Sequence, residues 1–184
     1  LEPRLIQVAQ QLLWPLITAF RKGLVSYNSV GVLLSMLPGR PGLLFRRAWY
    51  KATLKSCGEG LGIEWGSVIS NPDTRIGDHC FLGHYSRVEL ADIGDDLIAG
   101  DYVSIMSGLK HYEIERSSEP MRARPGEHPR VTIGNDVWIG GHASVGADVA
   151  PHTVVGAGAV VTRSFEEWQI LGGVPARQIG ERPL

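Results

Sequence analysis

The chain has 184 residues, 43% of them hydrophobic and 20% charged, with a net charge of −1 at pH 7. That is enough for one hydrophobic core and a small appendage. The near-neutral total hides an asymmetry, because residues 1–55 carry +7 and residues 56–184 carry −8. No apolar run approaches the ~18 residues of a bilayer-crossing helix, and no leader-peptide pattern is present. With two cysteines, Cys57 and Cys80, the expected setting is a reducing compartment, the cytoplasm.

Residues 1–60 read as an N-terminal helical cap. Leu5, Val8, Leu12, Leu16 and Phe20 recur at helical spacing, with Pro15 placed to kink or restart the helix. A second apolar segment, Val30 to Leu37, stops at the breaker run Pro38 to Gly42. Pro41 then suits the first turn of a helix carrying Leu44, Phe45, Ala48 and Trp49, with Arg47, Lys51 and Lys55 four apart on its other face. Two compatible readings follow: a cap over the open end of a solenoid, or a basic amphipathic surface held against anionic lipid. The second gives a possible peripheral membrane contact through residues 1–55.

From 61 to 105, and again from 131 to 165, the chain repeats every six residues. In the first section Ile63, Ile69, Ile76, Leu82, Val88, Ile93, Ala99 and Ile105 take the first position, with slips of one residue at 69–76 and 88–93. In the second, the hexads start at Ile133, Ile139, Val145, Pro151 and Ala157. Their fifth positions are Val137, Ala143, Val149, Val155 and Val161, and Gly134, Gly140, Gly146 and Gly158 stand second. This period fits neither a helix nor a flat strand, and a fixed hexapeptide period is a mark of stacked-repeat architecture. Three short strands would close a triangular coil, with coils stacked ~4.8 Å apart. The fold class is therefore a β-solenoid. Glycine beside each inward residue suits a place where a Cβ would clash, and Cys80, on a fifth position, reads as a small core residue. The hexad stops over residues 106–130, an extended loop of the kind that carries function. Residues 166–184 read as a C-terminal tail.

The phrase from Ile133 (IGNDVWIG) through Gly158 (GAVVTR), followed by Gly172 (GGVPAR), resembles the C-terminal half of the hexapeptide-repeat acyltransferases, the left-handed parallel β-helix enzymes. Within that family it resembles acetyltransferases of the galactoside, maltose and virginiamycin types and the sugar O-acetyltransferases of surface-polysaccharide pathways. The resemblance implies a left-handed coil and a homotrimer. It also implies acetyl-CoA, as acyl donor, bound in a groove between neighbouring subunits, and a histidine base. Matched residue by residue, it implies Trp138 at the pantetheine end and the amides of Gly141 and Ala157 along the arm. Thr162, Arg163 and Arg177 would then lie near the nucleotide phosphates, where an arginine fork suits phosphate oxygens.

Transfer of an acyl group from a thioester to a hydroxyl needs a base for the acceptor proton and a donor for the developing oxyanion. It requires no metal and no protein nucleophile. Of the six histidines, His111 is the chosen base. It stands at the root of the loop, where the resemblance puts the catalytic histidine, although Ser107-Gly-Leu-Lys-His111 sets it two residues further from the strand than in relatives. Glu113 is a candidate to orient the imidazole. His128, in Glu-His-Pro-Arg, resembles a His-Pro step of serine acetyltransferases and is a candidate substrate contact. His84 faces either a neighbouring acceptor pocket or solvent, and His79, His142 and His152 read as surface groups. The expected function is an acetyl-CoA-dependent O-acetyltransferase acting on a sugar hydroxyl in surface polysaccharide or lipid-linked glycan assembly. The alternatives are a serine-type or xenobiotic acetyltransferase, or a non-catalytic scaffold. A γ-class carbonic anhydrase would need three histidines around zinc, and that family's His-Gly-Cys phrase is missing. No nucleic-acid partner is expected.

Overall fold

The computed structural model describes residues 2–115 and 117–183. Three helices, α1 (Glu2–Arg21), α2 (Tyr27–Ser35) and α3 (Gly39–Thr53), precede a β-solenoid of about six turns. Its first wall is β1 (Ser56–Cys57), β4 (Arg75–Ile76), β7 (Ala91–Ile93) and β10 (Val131–Ile133). The second is β2 (Gly62–Ile63), β5 (Phe81–Leu82), β8 (Ile98–Ala99), β11 (Trp138–Ile139), β13 (Val154–Val155) and β15 (Gln169–Gly172), closed by antiparallel β16 (Arg177–Glu181). The third is β3 (Val68–Ile69), β6 (Arg87–Val88), β9 (Ser104–Ile105), β12 (Ser144–Val145) and β14 (Val160–Val161).

Each coil donates its outward amides to carbonyls of the next, as in Gly62 N to Cys80 O at 2.8 Å, Phe81 N to Leu97 O at 2.7 Å and Ile98 N to Val137 O at 2.9 Å. In-register stacking sets Ile63, Leu82, Ala99, Ile139, Val155 and Leu171 in one inward column, all buried. This column is the core, and its burial is the main favourable term. A Cβ on Gly83 would lie 2.5 Å from backbone of Gly100, and one on Gly140 would lie 2.5 Å from the Ala157 amide. Only glycine permits that approach. At the corners, His79, Tyr85, Asp96, Tyr102, Asp136, His142 and His152 take left-handed backbone conformations. Their amides donate to the preceding coil, as His142 N does to Asp101 O at 2.9 Å.

The structure corrects the hexad frame after Val145. Pro151 and Ala157 are exposed at corners, and Val149, Val155 and Val161 point inward instead. The cause is a turn shortened by two residues between Val145 and Val149. The solenoid also starts at Ser56, earlier than residue 61, and residues 166–184 are not a loose tail. β15 extends the second wall and β16 folds back on it. The irregular spacings fall at the corner between the third and first walls: Ile69 to Ile76, Val88 to Ile93, Ile105 to Ile133 and Val145 to Val149. At the other two corners inward residues stay six apart, as in Ile76, Leu82, Val88 and Ile133, Ile139, Val145.

Two expectations for the N-terminus also change. α1 runs through Pro15 as one helix, and its buried stripe is Ala9, Leu13 and Ile17. Leu5, Val8 and Leu12 face outward, while Leu16 and Phe20 are half-buried. Two members of the basic row, Arg47 and Lys51, are engaged by the first coil, while Lys55 is exposed. The first coil has no coil beneath it, so its carbonyls need donors from elsewhere. Arg46 donates from Nε to Ile63 O at 2.9 Å and from a terminal nitrogen to Leu37 O at 2.7 Å. Arg47 donates to Leu61 O, and Lys51 donates to Cys57 O and Glu59 at 2.8 Å. Ser35 O and the Tyr50 hydroxyl accept the amides of Gly66 and Ile69. The helices are a hydrogen-bonding cap. Arg46→Met keeps the volume but strands buried carbonyls, and should cost about 3 kcal/mol in urea denaturation. A loss well under 1 kcal/mol would remove Arg46 from that role.

Candidate active site

The irregular corner gathers the polar side chains. Glu89 follows β6, and Ser107 follows β9 one coil above. One Glu89 carboxylate oxygen accepts from the Ser107 amide and from its hydroxyl, both at 2.9 Å. His111 Nε2 lies 3.0 Å from Ser107 O and 3.7 Å from the same carboxylate oxygen. His128 completes the group, its ring centroid 4.5 Å from that of His111 and its Nδ1 3.5 Å from the Ser107 hydroxyl. Ser70, Asn71 and Leu90 share with Glu89, Ser107 and His128 an open cleft of ≈300 Å³.

The hydrogen bond assigns the tautomer. A carbonyl oxygen only accepts, so His111 Nε2 carries the proton and Nδ1 keeps the lone pair. Burial pushes the Glu89 carboxyl up, but the two Ser107 hydrogen bonds, with His111 and Arg87 nearby, outweigh it and leave its pKa below the usual value. Glu89 is thus a carboxylate at neutral pH, 3.7 Å from the His111 ring nitrogen.

Glu113 does not orient His111. It pairs with Arg124 at 3.2 Å across a loop hairpin bridged by Tyr112 and Pro125, because the loop turns it away from the corner. There it lines a second cleft of ≈390 Å³ with Lys110 and Tyr112. Glu89 holds the place intended for it, and the sequence signal was the slipped spacing at 88–93.

The remaining residues lie elsewhere on the prism. Trp138 is 55% exposed on the outside of the second wall, in register with Ile98 and Val154. His84, Gly141 and Ala157 stack at the corner between the second and third walls. His84 Nδ1 is 3.3 Å from Asp101, which also accepts the His84 amide at 2.7 Å, and Nε2 is 3.8 Å from Glu64. Above Asp101 that side-chain ladder ends. The amides of Gly141 and Ala157 have no acceptor among the described residues. A triangle's wall is opposite its far corner, so one chain does not bring Trp138 to His111, and Gly141 and Ala157 occupy a different corner. Thr162 and Arg163 follow β14 at the His111 corner, with Arg163 4.4 Å over the Phe165 ring. Arg177, in β16, is exposed and bonds Ala176 O at 2.8 Å. His142 tops a stacked column of Tyr85 and Tyr102. His152, more than a surface group, sits between Asp136 at 2.9 Å and the Trp168 ring at 4.1 Å.

A carboxylate with a depressed folded pKa contributes stability above its unfolded value, and loses it as pH falls through the folded value. Glu89→Gln should therefore be about 2 kcal/mol less stable than wild type at pH 7. That gap should close as pH drops below the ordinary carboxyl value of 4.5. An unchanged gap at acid pH in urea denaturation would show that Glu89 does not act through its charge.

Comparison with known proteins finds relatives of the repeat and of the fold. A family model for the hexapeptide repeat of succinyl-transferase matches residues 130–163. The chain is 34% identical over 93 residues to the galactoside O-acetyltransferase of Escherichia coli K12, covering 48% of this chain and 43% of that protein. It spans less than half of that relative. It is 29% identical over 147 residues to a chloramphenicol acetyltransferase of Klebsiella aerogenes, covering 62% of this chain and 70% of that one. Among solved structures, a maltose O-acetyltransferase from Clostridium difficile 630 superposes with a TM-score of 0.75 at 21% identity, over 86% of each chain. A galactoside acetyltransferase in complex with coenzyme A gives 0.66 at 24%, over 85% of this chain and 81% of that one. The stacked six-residue coils carry the repeat that this family model describes, and the chain is similar in sequence to hexapeptide-repeat acetyltransferases and shares their β-solenoid fold.

Proposed function

We propose that the protein is an acetyl-CoA-dependent O-acetyltransferase acting on a sugar hydroxyl, in surface polysaccharide or lipid-linked glycan assembly at the cytoplasmic side of a membrane. The observation that carries the reading is the Glu89–Ser107–His111 arrangement, an oriented imidazole beside a carboxylate at the one irregular corner. His111 Nδ1 takes the acceptor hydroxyl proton as that oxygen attacks the thioester carbonyl. The tetrahedral intermediate collapses by breaking the carbon–sulfur bond, and the imidazolium returns the proton to the departing coenzyme A sulfur. Glu89 favours the transient positive charge on the ring. His128 is the nearest side chain to hold the acceptor.

The donor fits residues that lack internal partners. The unsatisfied amides of Gly141 and Ala157 suit the pantetheine carbonyls, Trp138 packs on that arm, and Thr162, Arg163 and Arg177 receive the phosphates. Trp138, Gly141 and Ala157 lie on different sides of the prism from His111, which supports a groove built between copies in a homotrimer, one copy giving these groups and its neighbour the His111 corner. The outer face of the second wall supports such packing: Phe81, Ile98 and Trp138 stack in register and are all exposed, an apolar stripe that a neighbour would cover. His84 with Glu64 and Asp101 then faces the neighbour's acceptor.

The galactoside relative favours a sugar acceptor. The chloramphenicol acetyltransferase match, which spans more of that relative's length, favours xenobiotic acceptors as the second reading. A thiol-release assay with acetyl-CoA and a panel of sugars and hydroxylated antibiotics separates the two. His111→Ala should lower the rate by about 10²–10⁴-fold, and retained activity rejects it as the base. Co-expressing His111→Ala with Trp138→Ala should restore part of the activity that each lacks alone, because mixed trimers contain some intact grooves. No restoration would place the whole site within one chain.

A further inference from the structure

The helical cap leaves an apolar surface that nothing among the described residues covers. On α1, Leu5, Val8 and Leu12 recur at i, i+3 and i+7 and are 44%, 51% and 65% exposed, flanking the buried stripe of Ala9, Leu13 and Ile17. The turn after α1 adds Leu24, and α2 turns Val32, Leu33 and Met36 outward. Their other faces pack on α3 and β3. The apolar arc of α1 is wider than the stripe that the fold buries, so its outward flank calls for a cover.

Charge identifies the cover. Between Glu2 and Glu59 the sequence has no acidic residue. Arg46, Arg47 and Lys51 are taken up by carbonyls of the first coil and by Glu59. Arg4, Lys22, Arg40 and Lys55 are exposed and form no ion pair among the described residues. A second copy seated on the same faces would bring like charges together, whereas anionic headgroups would neutralise them. No described helix is long and apolar enough to cross a bilayer.

We propose that the outward faces of α1 and α2 dock the protein on an anionic lipid bilayer, with α1 lying in the interfacial plane. The cap sits on the first coil, and Glu89 and Ser107 lie one and two coils above it, roughly 10 Å at the strand spacing. Docking would therefore hold the His111 corner near the headgroups, where a lipid-anchored acceptor presents its sugar. That last consequence rests on the proposed transfer activity, whereas the docking itself does not.

Flotation with vesicles of phosphatidylcholine, with and without roughly one-third phosphatidylglycerol, tests it. Wild type should float with the anionic vesicles, less so with the neutral ones, and progressively less as salt rises. Leu5→Ser, Val8→Ser and Leu12→Ser combined should weaken partitioning roughly tenfold or more, and Lys22→Gln with Arg40→Gln should weaken it several-fold. Circular dichroism checks folding, and if the triple variant is unfolded, Leu12→Ser alone is read the same way. Wild type that does not float, or an apolar variant that floats equally well, overturns the proposal. So does a loss of oligomer mass in the apolar variant, by light scattering, with no flotation of wild type, because the cover would then be a second copy. Acetyl transfer to a soluble acceptor, read in parallel, should not change in the apolar variant, so failure of docking and failure of the transfer reading remain distinguishable.

Discussion

The structure depends on one repeated interaction, the backbone hydrogen bond from each coil to the next. It fixes the separation of the coils, and that separation dictates residue type. Gly83 and Gly140 must lack a side chain because the neighbouring backbone passes too close. His79, Tyr102 and His142 accept a left-handed conformation because their amides thereby reach the coil below. The same requirement explains the helical cap. The first coil must find donors for its carbonyls, and Arg46, Arg47 and Lys51 supply them. Positive charge in the N-terminal segment is in part a structural device for ending a solenoid.

A regular solenoid is a poor site on its own, because every coil presents the same surface. Here two corners keep strict six-residue spacing and the third absorbs the irregular ones. Extra or missing residues at that corner let Glu89, Ser107, His111 and His128 leave the repeat and meet. The stacked walls hold the emerging chain ends rigidly, so an imidazole can be aimed by a carbonyl and a carboxylate that belong to different coils. The loop at 106–130 supplies the histidines, while the solenoid supplies their geometry.

The opposite corner solves a complementary problem. Lower coils satisfy their corner amides with side chains, as Asp101 does for His84. Small residues at Gly141 and Ala157 interrupt that ladder and leave amides facing outward. A surface with donors but no acceptors suits a ligand rich in carbonyls. Its separation from the His111 corner within one chain is what the proposed groove between copies would bridge.

Several features were legible in the sequence because they rest on local spacing. The hexad period specified the coil, the inward residues of the first section and the point where the loop departs, while proline and glycine marked the break between α2 and α3. The position of His111 at the loop's root was legible too. Other features depended on what lies one coil away, which spacing alone does not encode. The shortened turn after Val145 moved the inward role from Pro151 and Ala157 to Val149, Val155 and Val161. Glu89 became the partner of His111 because β6 and β9 stack, while Glu113 went to Arg124. Helical periodicity marked α1 as amphipathic but could not say which part of its wide apolar arc the fold would bury. Packing on α3 buried Ala9, Leu13 and Ile17 and left Leu5, Val8 and Leu12 outside. Local pattern determined which elements form, and contacts between coils decided which side chains meet, because those contacts join residues distant along the chain.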